Sequence, residues 1–592
     1  MADKKPKLRS REWFDDPSDP GSTALYLERY LNYGLTMEEL QAGKPLIGIA
    51  NSGSELAPCN KHFIDLMSRI KDGIRDAGGV PIEFPVHPIQ ETGRRPTAAL
   101  DRNLAYLGLV ETLQGYPLDG VVLTTGCDKT TPSQIMAAAT VNLPAIVLSG
   151  GPMLNGHHRG SSKIGSGTIN WIAREKYAAG EIDVDGFMQL AGSSAPSAGH
   201  CNTMGTALSM NTIAEALGMS LPGCAAIPAP YRERGQMAYY TGKRIVDMVW
   251  EDLTPSKILT REAIINAIRV GSAVGCSSNC PPHLLAIARH AGVEHSISDW
   301  LDYGHPMPLL VNCQPAGEHL GEDFHRGGGV QAVIRELAGA GLIEEDTVTV
   351  TGKSLIDNLA LDPDPYVDRD VIKPFDQPLM EKAGYMVLSG NLFDSALMKT
   401  SVISPDFRAR YLSNPNDPEA FEVTAFVFEG PEDYHRRIND ESLGIEADSI
   451  LVVRGCGPIG YPGSAEVVNM LPPDRLVKQG IISLPTMGDG RQSGTSASPS
   501  ILNASPEAAV GGGLSKLRTG DRVRIDLNKA SANALVDDAE WAAREAVCYV
   551  PDSQSPWQEI AREKVTQLGD GAIVEGADRY QDIRKAKLRH SH

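Results

Sequence analysis

Short apolar runs alternating with helix-period stretches dominate the first part of the chain. Residues 46–50, 80–84, the run opening at Val121 and residues 145–152 each read as strands. Between them, Ile64, Leu66, Met67, Ile70 and Ile74 recur at helical spacing, and another helix is predicted over residues 97–113. Strands alternating with helices predict an α/β fold with a parallel sheet covered on both faces. Parallel strands put their carboxyl ends on one edge, where such sheets bind ligands. The loops leaving the first three strands carry Cys59, Glu91 and Cys127-Asp128-Lys129, so these side chains are expected to meet at that edge.

Residues 155–370 read as mainly helical. A Pro- and Asp-rich stretch around residues 357–378 marks the expected boundary. It divides the chain into an N-terminal arm (1–40), an α/β domain (41–375) and a smaller β-rich, barrel-like domain (376–592). In the last of these, residues 385–388, 420–428, 449–454, 481–484 and 522–526 predict short strands between Gly- and Pro-rich turns. A helix over residues 557–568 and a polar tail follow. Two loops, residues 455–466 and 488–496, are glycine-dense and read as turns or as anion cradles of exposed N–H groups. Neither has nucleotide-binding spacing. The arm carries Trp13, Phe14, Tyr26, Tyr30 and Tyr33, expected to pack on the rest of the chain or against a neighbouring subunit.

Charge narrows the functional classes. A net charge of −19 over 592 residues argues against a nucleic-acid partner, which clustered Lys and Arg would grip. The basic first residues lead into no apolar segment, and no run is long enough to cross a bilayer, so a cytoplasmic protein without a membrane partner is expected. Nine cysteines in such a chain are thiols rather than disulfides, some of them metal ligands. Cys201 precedes a predicted helix over residues 203–217, whose N-terminus would favour a thiolate, in a ligand or simply a structural role. Cys276, Cys280 and His283 resemble half a zinc site whose other half is absent. Cys224, Cys313, Cys456 and Cys548 read as structural.

If the sheet edge faces the two glycine-dense loops, one cleft holds Cys59, Cys127 and Cys201 beside Glu91, Asp128 and Glu466, with Lys129 and Ser493. Thiolates select iron–sulfur clusters or zinc, whereas carboxylates select magnesium or manganese. Two unlike Lewis acids in one pocket suit removal of water from a hydroxy acid.

Four motifs carry a family resemblance. Gly126-Cys-Asp-Lys-Thr-Thr-Pro132, Gly199-His-Cys-Asn-Thr-Met204, Pro462-Gly-Ser-Ala-Glu466 and Asp489-Gly-Arg-Gln-Ser-Gly494 occur in that order. They resemble the dihydroxy-acid and phosphogluconate dehydratases, over residues 40 to beyond 510. Residues 226–235 and 498–506 look like the sugar-acid branch, which acts on pentonates such as L-arabinonate or D-xylonate. The resemblance implies a hydro-lyase forming a 2-keto-3-deoxy acid, and a homodimer or homotetramer. It implies a 2Fe–2S cluster on Cys59, Cys127 and Cys201, and magnesium on Glu91, Asp128, Glu466 and Lys129. A protonated amine cannot bind a cation, so Lys129 would carry a carbamate (N6-carboxylysine). Ser493 would take the proton from C2, with Ser278, Arg491 and Thr495 as candidate substrate contacts. Gly275-Cys-Ser-Ser-Asn279 departs from the family's Gly-Gly-Ser-Thr-Asn.

Other readings remain. A family member acting on dihydroxy acids, gluconate or phosphogluconate is one, although a phosphorylated substrate would want a Lys/Arg cluster. A non-enzymatic iron–sulfur redox sensor is another, but it would not need Glu91, Glu466 and Ser493 as well.

Overall fold

The computed structural model describes residues 6–586 and Arg589. Strands β1 (Leu46–Asn51), β2 (Val80–Pro85), β3 (Gly120–Thr125) and β4 (Ala145–Ser149) form a four-stranded sheet in the order β2-β1-β3-β4. Every neighbouring pair is parallel, as the strand–helix alternation predicts. All residues of β3 and β4 are buried, which is why these runs show no apolar–polar alternation. The helix Thr130–Val141 that follows β3 is also buried all round; Ala137, Ala138 and Ala139 leave room for close neighbours.

The arm folds onto this sheet. Its helices Arg11–Phe14, Pro20–Leu31 and Met37–Gln41 place Phe14, Leu27 and Leu40 in the main core. The Phe14 ring meets Tyr30 edge-on at 5.1 Å. Buried Asp119 anchors the arm, accepting from Ser10 Oγ at 2.7 Å and from the Leu46 amide at 2.7 Å. Downstream of β4, a hairpin of β5 (Gly156–His158) and β6 (Ser161–Ile164) precedes a long helical stretch. Among the described residues, no helix is long and apolar enough to cross a membrane.

The second part is a closed barrel. Its strands are β7 (Tyr385–Gly390), β8 (Phe393–Lys399), β9 (Ala420–Glu429), β10 (Ser449–Arg454), β11 (Thr486–Gly488), β12 (Ile501–Ser505), β13 (Arg522–Asp526) and β14 (Ser531–Ala534). They run in the order β10-β11-β12-β8-β7-β14-β13-β9, with β9 pairing back on β10. Closure leaves no free sheet edge. The strand expected at residues 481–484 is not formed; the ladder begins at Thr486. Pro485 lacks an N–H, so it accepts from the Leu451 amide at 3.0 Å but cannot continue a two-sided ladder upstream. β8, β12 and β14 had no strong sequence signal. Ser531-Ala-Asn-Ala534 in particular lacks bulky apolar residues, and it pairs because barrel closure supplies partners on both sides.

The anion-cradle reading of the loop at residues 455–466 needs correction. Its amides already meet carboxyl groups of the protein itself. Gly455 and Cys456 donate to Asp489 at 3.0 and 2.8 Å, and Ile459 and Gly460 donate to Glu507 at 2.9 and 2.8 Å. Burial, and then the charge of Asp489, push the Glu507 carboxyl up to about 7. The folded chain therefore holds a proton that the unfolded chain releases near pH ~4.3. That contribution is complete below the unfolded value and is lost as pH rises through about 7. Thermal melts across this window should show wild type losing stability relative to Glu507→Gln, which stays neutral at every pH. Parallel pH profiles for the two proteins would contradict the assignment.

Candidate active site

The sheet edge and the barrel loops enclose one cavity of about 1040 Å³. Cys59, Cys127 and Cys201 line it, as do Glu91, Asp128 and Glu466, and Ser493 closes one side with Thr495. The convergence expected at the carboxyl ends of β1, β2 and β3 is therefore present, and the barrel loops face it.

Asn60 stitches the first and third strand-end loops. Its Oδ1 accepts from the Cys127 amide at 2.8 Å, and a Cβ on Gly126 would sit only 2.4 Å from that oxygen. Cys59 Sγ accepts from Gln90 Nε2 at 3.3 Å, and Cys201 Sγ from Ser166 Oγ at 3.5 Å. Cys201 lies in an irregular segment ahead of the helix Thr206–Ala216, so the expected help from a helix terminus does not reach it directly. Burial, and then the charges of Cys59 and Asp128, push its thiol up to about 12. Cys127 is raised too, first through its hydrogen bond with Cys59, which in turn lowers Cys59. Protein groups alone thus oppose three thiolates here, and a cationic group between them would reverse that preference.

The carboxylates form a second donor set. Glu91, Asp128 and Glu466 each offer an oxygen within 4.8 Å of the others, close enough to share one cation. Lys129 is fully buried, with Nζ 2.9 Å from Glu91 and 3.6 Å from Asp128. The Glu91 approach is a charge contact not aligned as a hydrogen bond.

Arg491 holds the set from behind. Its Nη2 lies 3.1 Å from Glu91 and 3.1 Å from Thr97 Oγ1. Nη1 lies 3.0 Å from Glu466 and 2.9 Å from Asn279 Oδ1, while Nε donates to the Ser464 carbonyl at 2.7 Å. Asn279 Nδ2 completes the arrangement by donating to Glu466 at 2.6 Å. Burial raises both glutamates, but the neighbouring cations Lys129 and Arg491 bring Glu91 down to about 2. Glu466, buried and facing the charge of Glu91, stands at about 7. Two neighbouring carboxylates held so differently mark a place short of positive charge.

Glycines let the barrel loops reach this edge. Gly463 is left-handed (φ +87°), and a Cβ there would meet the Leu100 amide nitrogen at 2.6 Å. A Cβ on Gly494 would lie 2.5 Å from Ser277 Oγ and 2.7 Å from the Thr206 amide nitrogen. Next to it, Ser493 Oγ is 2.9 Å from Thr495 Oγ1.

Comparison with known proteins supplies the family. The dihydroxy-acid/6-phosphogluconate dehydratase N-terminal pattern matches residues 44–358, and the C-terminal pattern matches residues 370–572. The chain belongs to the dihydroxy-acid/6-phosphogluconate dehydratase family. It is 61% identical to a D-xylonate dehydratase of Caulobacter vibrioides, covering 99% of this chain and 98% of that one. An L-arabinonate dehydratase of Rhizobium leguminosarum is 42% identical, covering 91% and 90%. A dihydroxy-acid dehydratase of Pyrococcus abyssi is 37% identical, covering 87% and 90%. The protein is a hydro-lyase.

The structure separates the three expected substrate contacts of this dehydratase. Thr495 lines the cavity. Arg491 does not; all five of its donors are engaged by the protein. Ser278 is buried away from the cavity, with its carbonyl accepting from Asn503 at 3.3 Å. Thr97 and Asn279 were missed, because a Thr and an Asn announce no chemistry until Arg491 and Glu466 stand beside them. Trp171 and Arg174, stacked at 4.7 Å, line the cavity from the helix Thr168–Ala179 and were also missed. The half zinc site stays a half: Cys276 and Cys280 are buried in the core, and His283 Nδ1 pairs with Arg102 at 3.0 Å.

In metal-free protein, Arg491→Ala should cost about 3–5 kcal/mol, because two buried carboxylates lose their counter-charge. Arg491→Lys should recover only part, since an ammonium cannot reach five acceptors in a plane. Urea midpoints of the three proteins check this; an unchanged midpoint in Arg491→Ala would remove Arg491 from its central place.

Proposed function

We propose that this dehydratase acts on a sugar acid, D-xylonate in the first place, with L-arabinonate as the runner-up pentonate. The carrying observation is the single cavity in which a thiol set, a carboxylate set and Ser493 face one another. The 61% identity to a D-xylonate dehydratase over nearly the whole of both chains supports the choice of substrate.

The donor chemistry fits two metal groups. The three sulfurs surround the cavity without joining any set held within 4.8 Å, which suits a multi-iron cluster better than one zinc ion. Cys59, Cys127 and Cys201 would hold a 2Fe–2S cluster, and Glu91, Asp128 and Glu466 a magnesium ion. Lys129, buried between Glu91 and Asp128, would join them as N6-carboxylysine, its ammonium giving up two protons in all as the nitrogen bonds to carbon dioxide. When bound, the two groups would supply Lewis acidity for the departing C3 hydroxyl and for the substrate carboxylate, and the cation would also lower the pKa of Ser493.

The chain's own groups do the rest. Ser493 Oγ takes the proton from C2; Thr495 Oγ1, 2.9 Å away, keeps that oxygen pointed into the cavity. The C3 hydroxyl leaves with a proton as water, and the resulting enol becomes the 2-keto-3-deoxy acid. Asn279 and Arg491 keep Glu466 and Glu91 in place throughout.

Keto-acid formation from D-xylonate, L-arabinonate, D-gluconate and 2,3-dihydroxyisovalerate tests the substrate. The expected order puts D-xylonate first in kcat/KM; a preference for dihydroxyisovalerate would overturn it. Ser493→Ala should lower kcat by ~10²–10⁴-fold while the visible cluster absorbance is unchanged. Full activity in that variant would exclude Ser493 as the base.

A further inference from the structure

Beside Arg491 lies a second, much smaller chamber of about 30 Å³, which shares no lining residue with the catalytic cavity. Leu100, Pro282, Val565 and Leu568 form apolar walls, and five residues with polar side chains line it: Arg102, Asn103, His283, Ser464 and Arg491. Arg102 is 3% exposed and has no carboxylate partner among the described residues. It donates instead to neutral acceptors, the Gly571 carbonyl at 2.8 Å, Asn103 Oδ1 at 3.1 Å and His283 Nδ1 at 3.0 Å. Burial, and then the charge of Arg491, bring Arg102 down to about 9. A buried cation without an anion is costly.

The tautomer of His283 follows from its partner. Arginine has no lone pair to offer, so Nδ1 must be the acceptor in the contact with Arg102. Burial, with the charges of Lys129, Arg102 and Arg491, keeps the imidazole neutral, and its one proton is then on Nε2. That Nε2–H is buried and finds no acceptor among the described residues, and neither does the Ser464 hydroxyl, 1% exposed. The nearby acceptors are already taken. Asn103 Oδ1 receives Arg102, and the Ala572 carbonyl receives both Arg102 and Asn103. The chamber therefore presents donors and almost no acceptors.

We propose that this chamber is a binding site for one small monatomic anion of the halide class. Its volume admits one or two water-sized particles, each needing ~10–15 Å³, and excludes carboxylates and phosphates. A water would bring two protons of its own and find only Ser464 Oγ to take one, whereas a halide needs donors alone. The ion would balance Arg102, leaving the charge of Arg491 committed to Glu91 and Glu466. None of Glu91, Asp128, Lys129 and Glu466 lines the chamber, so anion binding there is tested without reference to the substrate assigned above.

The test is anomalous diffraction from crystals of the metal-loaded enzyme in millimolar bromide, with methanesulfonate as the control. Melting temperatures are read in the same two salts at equal ionic strength. The expected result is a bromide peak within hydrogen-bond reach of His283 Nε2 and Ser464 Oγ. A melting temperature raised by roughly 2 °C should accompany it, and the rise should shrink in Ser464→Ala. Solvent density without anomalous signal means water and overturns the proposal. A peak that needs molar bromide and leaves the melting temperature unchanged means an adventitious ion only, and also overturns it. So does a bromide-specific thermal shift without a peak in the chamber.

Discussion

Arg491 joins two carboxylates that lie far apart in the chain. Glu91 comes from the loop after β2 and Glu466 from a barrel loop, and one guanidinium reaches both at 3.1 and 3.0 Å. The contact is buried, so its strength depends on geometry rather than on salt. A guanidinium suits this position because its donors lie in one plane and point in fixed directions. Thr97, Asn279 and the Ser464 carbonyl use the remaining directions, which leaves Arg491 one available pose. The opposed donor sets of the cavity exist because this contact holds the sheet edge against the barrel.

The electrostatics of the cavity follow from that contact. Glu91, Asp128 and Glu466 share two cations, Lys129 and Arg491, and three thiols stand close by. Glu91 is strongly ionised while Glu466 resists ionisation, although the two carboxylates are neighbours. Such a divided pair is what an oxygen-binding cation evens out. The thiols show the same need in softer form, with Cys201 raised by burial and nearby negative charge, and Cys127 first by its hydrogen bond with Cys59 and then by burial. Hard and soft donors are thus set apart within one cavity, as two unlike Lewis acids require.

The barrel places Glu466 without relying on the loop at residues 455–466 for anion binding. Asp489 and Glu507 satisfy amides of that loop from inside, which stiffens the segment leading to Glu466. Gly463 and Gly494 then allow contacts with Leu100 and Thr206 that a side chain would block. Rigidity in the barrel and close approach to the sheet are two parts of one arrangement.

Much of this was legible in the chain itself. The apolar runs at β1, β3 and β4, alternating with helices, indicate covered parallel strands, and with β2 that topology brings Cys59, Glu91 and Asp128 to one edge. The short order-preserving motifs named the family, because Cys127-Asp128-Lys129 and Arg491-Gln-Ser493 place unlike chemistry on adjacent residues. Other features are invisible locally. β14 is made of Ser, Ala and Asn, and it is a strand only because β13 and β7 flank it. Residues 481–484 have strand composition but stay irregular, since Pro485 interrupts the donors a ladder needs. Arg491 reads as a substrate contact until the fold surrounds it with Glu91, Thr97, Asn279 and Glu466. Arg102 and His283 likewise acquire meaning only from one another. Local pattern determines which segments become strands, and so which loops converge; the partner of a buried charge depends on residues hundreds of positions away, and only the tertiary structure decides it.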